Sequence, residues 1–475
     1  MFGPTVRQYA ASLSSTISVM MTAICFVWME PLMSKLIGPD SEIPNLTTDD
    51  TSWLVASIEI GEVVATIPAG LLADRYGRKP MILSTGPMCL VGWVLILTTR
   101  NLVVLYLVRV IQGIALALTY TVVPMYIAEI ADPRIRGELS GQFKTLWYVG
   151  ILYVYIIGPL FQYQTYTYLC AGLPIVFMAI YSFMPESPYY LLMRRKHDKA
   201  QVALQWLRGS EDVDREFQSI SLSVEREMKN KGSWRDLIRT KRDRKSFFIV
   251  QLVCCIKYLN GMPAVVAYAT ETFKKGTEAH AHTLTIGLGV ILCLSCFGSA
   301  FVSDSFGRRR LLLVSIAGSI FFNVMIATYY FLAEKTSIDV SDYYWVMFIA
   351  IGGFCFSANV GVGPLLQTMQ AEYFPSNTRG LGGGITEMTA SVTTFINLKA
   401  YQVLTDYFGI YMNYVTFSCF GIVGFILLYL TCPETAGRSL AEIQNVLEKD
   451  VKEVRSNDKQ KDETVPEQES GKSRF

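Results

Sequence analysis

Glu30, Glu59, Glu62, Lys144, Lys257 and Glu387 are ionisable side chains standing inside long apolar runs of this sequence. A charge at the centre of a bilayer costs roughly 2.5–3.5 kcal/mol on insertion scales, so such residues face a wet cavity, pair with one another or hold a substrate. Glu59 and Glu62 are three apart and therefore share one helix face. No nucleophile–base set and no phosphate loop accompanies these charges, which argues against an enzyme. Gly382-Gly383-Gly384 reads as close helix packing inside a membrane and not as a phosphate cradle. The ten cysteines lie within or at the ends of apolar runs, as Cys254, Cys255, Cys293 and Cys296 do, and read as small buried thiols. His197, His280 and His282 all lie in polar stretches. Neither a metal nor any other cofactor is expected, and a net charge of +2 gives no reason to expect a nucleic-acid partner.

The elements that must position these charges are membrane spans. Of 475 residues, 51% are apolar and only 17% charged, against roughly 25% charged in soluble proteins; the mean hydropathy is +0.32. A spanning helix needs about 20 mostly apolar residues. Twelve such segments can be drawn: 12–36, 52–73, 80–98, 102–130, 138–161 and 165–184, then 247–273, 284–303, 310–332, 343–370, 380–405 and 408–431. The first run is too long for the ~7–15-residue core of a cleavable signal and reads as a first transmembrane helix. The expected fold is an all-α membrane protein of twelve transmembrane helices. The expected organisation is a six-helix half over 1–184, a polar loop with short amphipathic helices over 185–245, a second six-helix half over 246–432, and a largely disordered polar tail over 433–475.

Basic residues set the expected orientation. Arg75, Arg78, Lys79, Arg134 and Arg136, the central loop, the Arg308–Arg310 cluster and the tail share one side, while the loop at 40–50 on the other is acidic. Both termini are therefore expected in the cytoplasm. Asn45-Leu46-Thr47 is a glycosylation sequon on the expected outer face, which favours the plasma membrane. The expected partners are a small polar solute and the lipid bilayer, with the chain acting as a monomer.

An internal repeat organises the chain. The stretch Gly70 to Lys79, with Asp74, Arg75, Gly77 and Arg78, follows the second segment; Val302 to Arg310, with Asp304, Gly307, Arg308 and Arg309, follows the eighth. Glu129 and Arg136 are seven apart after the fourth segment, and so are Glu372 and Arg379 after the tenth. Pro185-Glu186-Ser187 follows the sixth, and Pro433-Glu434-Thr435 the twelfth. Three elements recurring in the same order make two pseudo-symmetric halves.

GLLADRYGRK, PESPYYL, PETAGRSLAEI and the run from Arg109 through Gly113 and Glu129 to Arg136-Gly137 together resemble the major facilitator superfamily, and within it the sugar porter family. The short termini and the Trp28-x-x-Pro31 of the first helix are most similar to insect facilitated trehalose transporter-type members. The resemblance implies a transporter that works by alternating access between its halves. It also implies a gating network at one membrane face, made of Asp74, Arg75, Gly77, Arg78, Arg109, Glu129, Arg136 and Glu186 with Asp304, Gly307, Arg308, Arg309, Glu372, Arg379, Glu434 and Arg438. These pairs are expected to hold the halves together in one state and part in the other. Ser305 replaces the usual Arg of the second copy, which weakens that clamp.

The sugar-contacting positions depart from the family. Lys144 stands for a Gln of the fifth helix, and Lys257-Tyr258-Leu259-Asn260 for the amide-rich stretch of the seventh. Gln367 replaces a Trp of the tenth, Ala390-Ser391 an Asn-Trp pair of the eleventh, and Leu292 an amide of the eighth. Loss of groups that pair with hydroxyls removes discrimination for them. The expected solute site is therefore Lys144, Lys257, Tyr258, Asn260 and Gln367 with Glu30 and Glu387. The two lysines either meet the solute or pair internally with Glu30 or Glu387. Proton-coupled members hold an acid opposite the Arg at Arg109; here that position is Met29, so facilitative transport is expected, with coupling through Glu30 as the alternative. Transport of a charged or non-sugar solute, and a sensor that binds without transporting, are the competing functions.

Overall fold

The computed structural model describes residues 4–33, 46–229, 233–303, 307–375 and 378–434. Asn45, Asp304, Ser305, Arg438 and the polar tail lie outside them. The first half contains α1 (Pro4–Val27), α2 (Thr48–Tyr76), α3 (Arg78–Thr98), α4 (Leu102–Ile130), α5 (Arg136–Leu160) and α6 (Tyr163–Tyr181). Three short helices follow: α7 (Pro188–Met193), α8 (His197–Arg208) and α9 (Asp214–Lys229). The second half contains α10 (Lys241–Leu259), α11 (Met262–Ala267), α12 (Ala269–Gly276), α13 (Ala281–Ser303), α14 (Arg308–Lys335), α15 (Tyr344–Val360), α16 (Val362–Tyr373), α17 (Arg379–Tyr407) and α18 (Ile410–Thr431).

Among the described residues nine helical stretches are long and apolar enough to cross a membrane. The remaining three spans are α6, α13 and α17. Helix α6 opens on the polar run Tyr163-Gln-Thr-Tyr-Thr-Tyr168, and α17 carries buried Thr386, Ser391, Thr393, Thr394 and Asn397 that dilute its apolar character. Side chains that satisfy one another inside a bundle need not face lipid. The fold is twelve spans in two pseudo-symmetric halves.

Local chemistry sets the ends. Thr47 caps α2, taking a hydrogen bond from Asp50 N while the Asp50 carboxylate accepts from Thr47 N, and Thr240 and Asp243 repeat the device on α10. Two spans expected to be continuous are broken. The seventh runs as α10, α11 and α12, because Gly261 takes φ 102° and the Asn260 side chain accepts from Met262 N. The tenth breaks at Gly361 into α15 and α16. Both breaks fall beside the central cavity.

Helices α2 and α4 cross at bare backbone. A Cβ on Gly61 would fall on the carbonyl oxygen of Val110, and one on Gly113 on that of Ile58. That approach brings the buried Arg109 guanidinium onto backbone carbonyls of α1 and α2. It donates to Leu54 O at 2.7 Å, Val55 O at 2.9 Å, Cys25 O at 2.5 Å and Phe26 O at 3.4 Å. Arg109 is thus a core strut of the first half, away from the gating network in which the sequence placed it.

Candidate solute cavity and its two gates

A cavity of about 150 Å³ lies between the halves. From the first half α2 supplies Glu59 and Glu62, α4 supplies Tyr120, and α5 supplies Phe143, Lys144, Trp147 and Tyr148. From the second half come Lys257, Tyr258 and Asn260 at the end of α10, Asn359, Gly363 and Gln367 of the broken tenth span, and Glu387, Ser391 and Thr394 of α17.

The structure thus brings Lys144, Lys257, Tyr258, Asn260, Gln367 and Glu387 to one cavity, and Glu30 to another place. Glu387 is the acid that acts on the Lys257 ammonium, which also lies 4.8 Å from the centre of the Tyr258 ring. Glu59 and Glu62 are within hydrogen-bonding reach of one another, and Glu62 of Ser391 across the interface. Asn260 is committed to backbone, capping Met262 N at 3.2 Å. Gln367 is exposed at the cavity's rim. Tyr148 donates to Asn359 Oδ1 at 2.6 Å, and Asn359 in turn donates to Ser295 Oγ at 3.1 Å.

Sequence reasoning missed an aromatic wall. The Tyr120 ring meets Phe143 and Trp147 edge-on at 5.1 and 5.2 Å between centroids, and Trp147 lies 5.7 Å from Phe26. Such surfaces pack against the apolar face of a sugar ring. The available signal was spacing: Trp147 and Tyr148 follow Lys144 by three and four residues and share its face.

Glu30 sits on a 3-10 turn after α1 and is 4% exposed. Its carboxylate accepts from Thr270 N, 2.5 Å away in the first turn of α12. It therefore joins the halves without reaching either lysine or Arg109. The acid that faces Arg109 is Glu59.

At the face where α1 begins and α18 ends, called the terminus face below, the repeat becomes visible as geometry. Glu186 accepts from Arg78 N and Lys79 N at 3.2 and 3.1 Å; Glu434 accepts from Arg308 N and Arg309 N at 3.1 and 3.4 Å. Arg78 pairs with Glu129 at 2.8 Å and Asp74 at 3.0 Å, and Arg308 pairs with Glu372. Gly77 and Gly307 both have positive φ, 115° and 76°. In each copy a Cβ would point at the same acid, Glu186 or Glu434. Outside the membrane spans, burial holds the Glu186 carboxyl above the ordinary carboxylate range. Each of these pairs stays inside its own half. Arg75 is exposed with its guanidinium 5.4 Å from the Tyr76 ring, Arg136 is exposed, and Arg379 keeps a buried, unpartnered Nε. Among the described residues, none of these pairs of the expected clamp joins the two halves. The starts of α5 and α17 agree: a Cβ on Gly137, Gly141, Gly380, Gly383 or Gly384 would meet open space.

The halves meet at the far face instead. Lys399 of α17 reaches Asp49 of α2 at 2.5 Å and Ser52 Oγ at 2.7 Å, with its ammonium 4.5 Å from the Trp53 ring. Trp53 packs on Phe395 at 6.0 Å. Tyr155 of α5 donates to Val266 O at 2.7 Å. Among the described residues the halves are thus tied at the far face and not by the expected pairs at the terminus face.

The family model described as sugar (and other) transporter matches residues 1–447. The chain belongs to this family of membrane transporters. Among relatives, this transporter is 26% identical over 418 residues to a facilitated trehalose transporter of Bombyx mori, covering 88% of this chain and 83% of that one. It is 29% identical over 400 residues to a putative metabolite transport protein of Bacillus subtilis, covering 83% and 86%. Among solved structures, an inward-open xylose transporter from E. coli superposes with a TM-score of 0.77 at 19% identity, covering 92% of this transporter and 99% of that chain. A major facilitator proton:xylose symporter bound to 6-bromo-6-deoxy-D-glucose gives 0.75 at 20% identity, covering 93% and 99%. Both likenesses bear on the fold: this transporter has the major facilitator architecture.

Proposed function

We propose that this transporter moves a small hydroxylated solute, a sugar or sugar-like molecule, by facilitative alternating access through the central cavity. One observation carries the reading: both halves contribute hydrogen-bonding side chains, and the first half an aromatic wall, to a cavity between halves that are tied at the far face. Carboxylates and amides accept and donate to hydroxyls, while the rings cover carbon. The relatives named above as trehalose and xylose transporters support a sugar. Arg109 is occupied by carbonyls and Glu30 by Thr270 N, which supports facilitation over proton coupling through Glu30.

The termini are placed in the cytoplasm on the strength of Arg75, Arg78, Lys79, Arg134, Arg136 and Arg308–Arg310 at their face. The structure is then the inward-facing state. The Asn45 sequon supports the plasma membrane, and the monomer is kept as the working state. Uptake by surface-expressed protein of a labelled panel of glucose, trehalose, xylose and polyols tests the reading. Saturable uptake of at least one, insensitive to a proton gradient, is the expected result. Binding without uptake would favour a sensor.

A further inference from the structure

Lys144 stands apart from the other charges of the cavity. Lys257 has Glu387 beside it, and the Glu59 and Glu62 carboxyls face one another on the α2 wall. The other lysine of the cavity, Lys257, is of like sign and acts on it unfavourably. Among the described residues no acid pairs with the Lys144 ammonium. Its Nζ lies 2.9 Å from where a Cβ on Gly363 would stand, so the opposite half keeps a bare backbone to admit it. A half-buried ammonium without a counter-charge is costly, and a site that tolerates one has a use for it.

The rest of the wall narrows that use. Around Lys144 stand Trp147, Tyr148 and Asn359, and across the cavity Glu59, Glu62 and Glu387 offer acceptors. A neutral sugar would satisfy the acceptors and leave Lys144 unpaired. A dianion, such as a phosphate ester, would meet one free cation and three acids. A monoanion with hydroxyls on its carbon chain satisfies both ends. We propose that the solute is a small hydroxylated monocarboxylate of the sugar-acid type, whose carboxylate docks on Lys144 while its hydroxyls face the acidic wall. This assignment rests on the reading of the cavity as the transport site and narrows its substrate class.

The test uses purified full-length protein in liposomes, with D-glucose, D-glucuronate, D-gluconate and L-lactate as probes. Glucuronate differs from glucose by a carboxylate in place of a hydroxymethyl group. The expected result is saturable uptake with kcat/KM for one of the acids at least about tenfold above that for glucose. K144Q should erase that preference and K144R retain it. Ligand-induced thermal stabilisation in detergent reads the same preference without turnover, and distinguishes a lost contact from a misfolded variant. Glucose uptake equal to or above that of every acid overturns the assignment and leaves the transport reading standing. Preference for an acid that survives K144Q in folded protein also overturns it. No uptake and no stabilisation by any sugar or acid overturns both readings.

Discussion

Glu30 of the first half accepts a hydrogen bond from the backbone N–H of Thr270 in the second. The bond crosses the pseudo-symmetric interface at the far face and satisfies an otherwise orphan donor in the first turn of α12. Losing it would leave a buried N–H unpaired, at about 1–3 kcal/mol. E30A is therefore expected to open the far face, and E30Q, which keeps an acceptor, to do so far less. Spin labels at exposed Asn101 and Tyr407, one on each half, report the separation. Equal distance distributions in E30A and wild type would remove Glu30 from the gate.

Lys399 is a second charged tie across that face. An exposed ion pair contributes about 0–1 kcal/mol, and an ammonium over a tryptophan about 0.5–1 kcal/mol more. K399A should shift the population toward the far-open state by several-fold, and W53A by less. The same label pair measures it. A combined K399A and E30A variant is expected to be predominantly far-open, because the two contacts share no partner.

The terminus-face pairs differ in burial, and so should their variants. Arg78 is 2% exposed and pairs with Glu129 at 12%, whereas Arg308 is 30% exposed. Removing one partner of a buried pair costs about 3–5 kcal/mol, because the other charge is stranded. R78A should therefore lower the Tm in detergent much more than R308A. The reverse order would contradict the packing described for Glu129.

Gly113 tests the helix crossing. A Cβ there falls on the carbonyl of Ile58, and backbone cannot move aside as a flexible side chain can. G113A should abolish or sharply reduce folded protein in the membrane. G137A, whose Cβ meets open space, should express as wild type does. Fluorescence size-exclusion profiles of tagged variants separate the two.

What could be read in the sequence was what repeats. Gly77 and Gly307, and Glu186 and Glu434, announced themselves as motifs, and each pair occupies equivalent geometry. The two lysines and Glu387 were legible as charges in apolar runs and do line one cavity. What was hidden had partners without sequence identity. Glu30 holds a backbone N–H and Arg109 holds backbone carbonyls, and neither partner is encoded by residue type. Lys399 and Asp49 are single residues on distant helices, with no motif to join them. The breaks at Gly261 and Gly361 fall inside segments whose mean hydropathy stays high, so hydropathy alone could not show them.

Solute uptake by the purified protein in sealed liposomes tests the central claim most directly. Saturable uptake of a sugar or sugar acid, abolished in a D49C/K399C variant when an added oxidant joins the two thiols as a disulfide and restored on reduction, is the expected result. It would mean that solute passes only when the far face opens. Uptake that continues unchanged with that face cross-linked, or protein that binds solute but never moves it, would contradict transport by alternating access through this cavity.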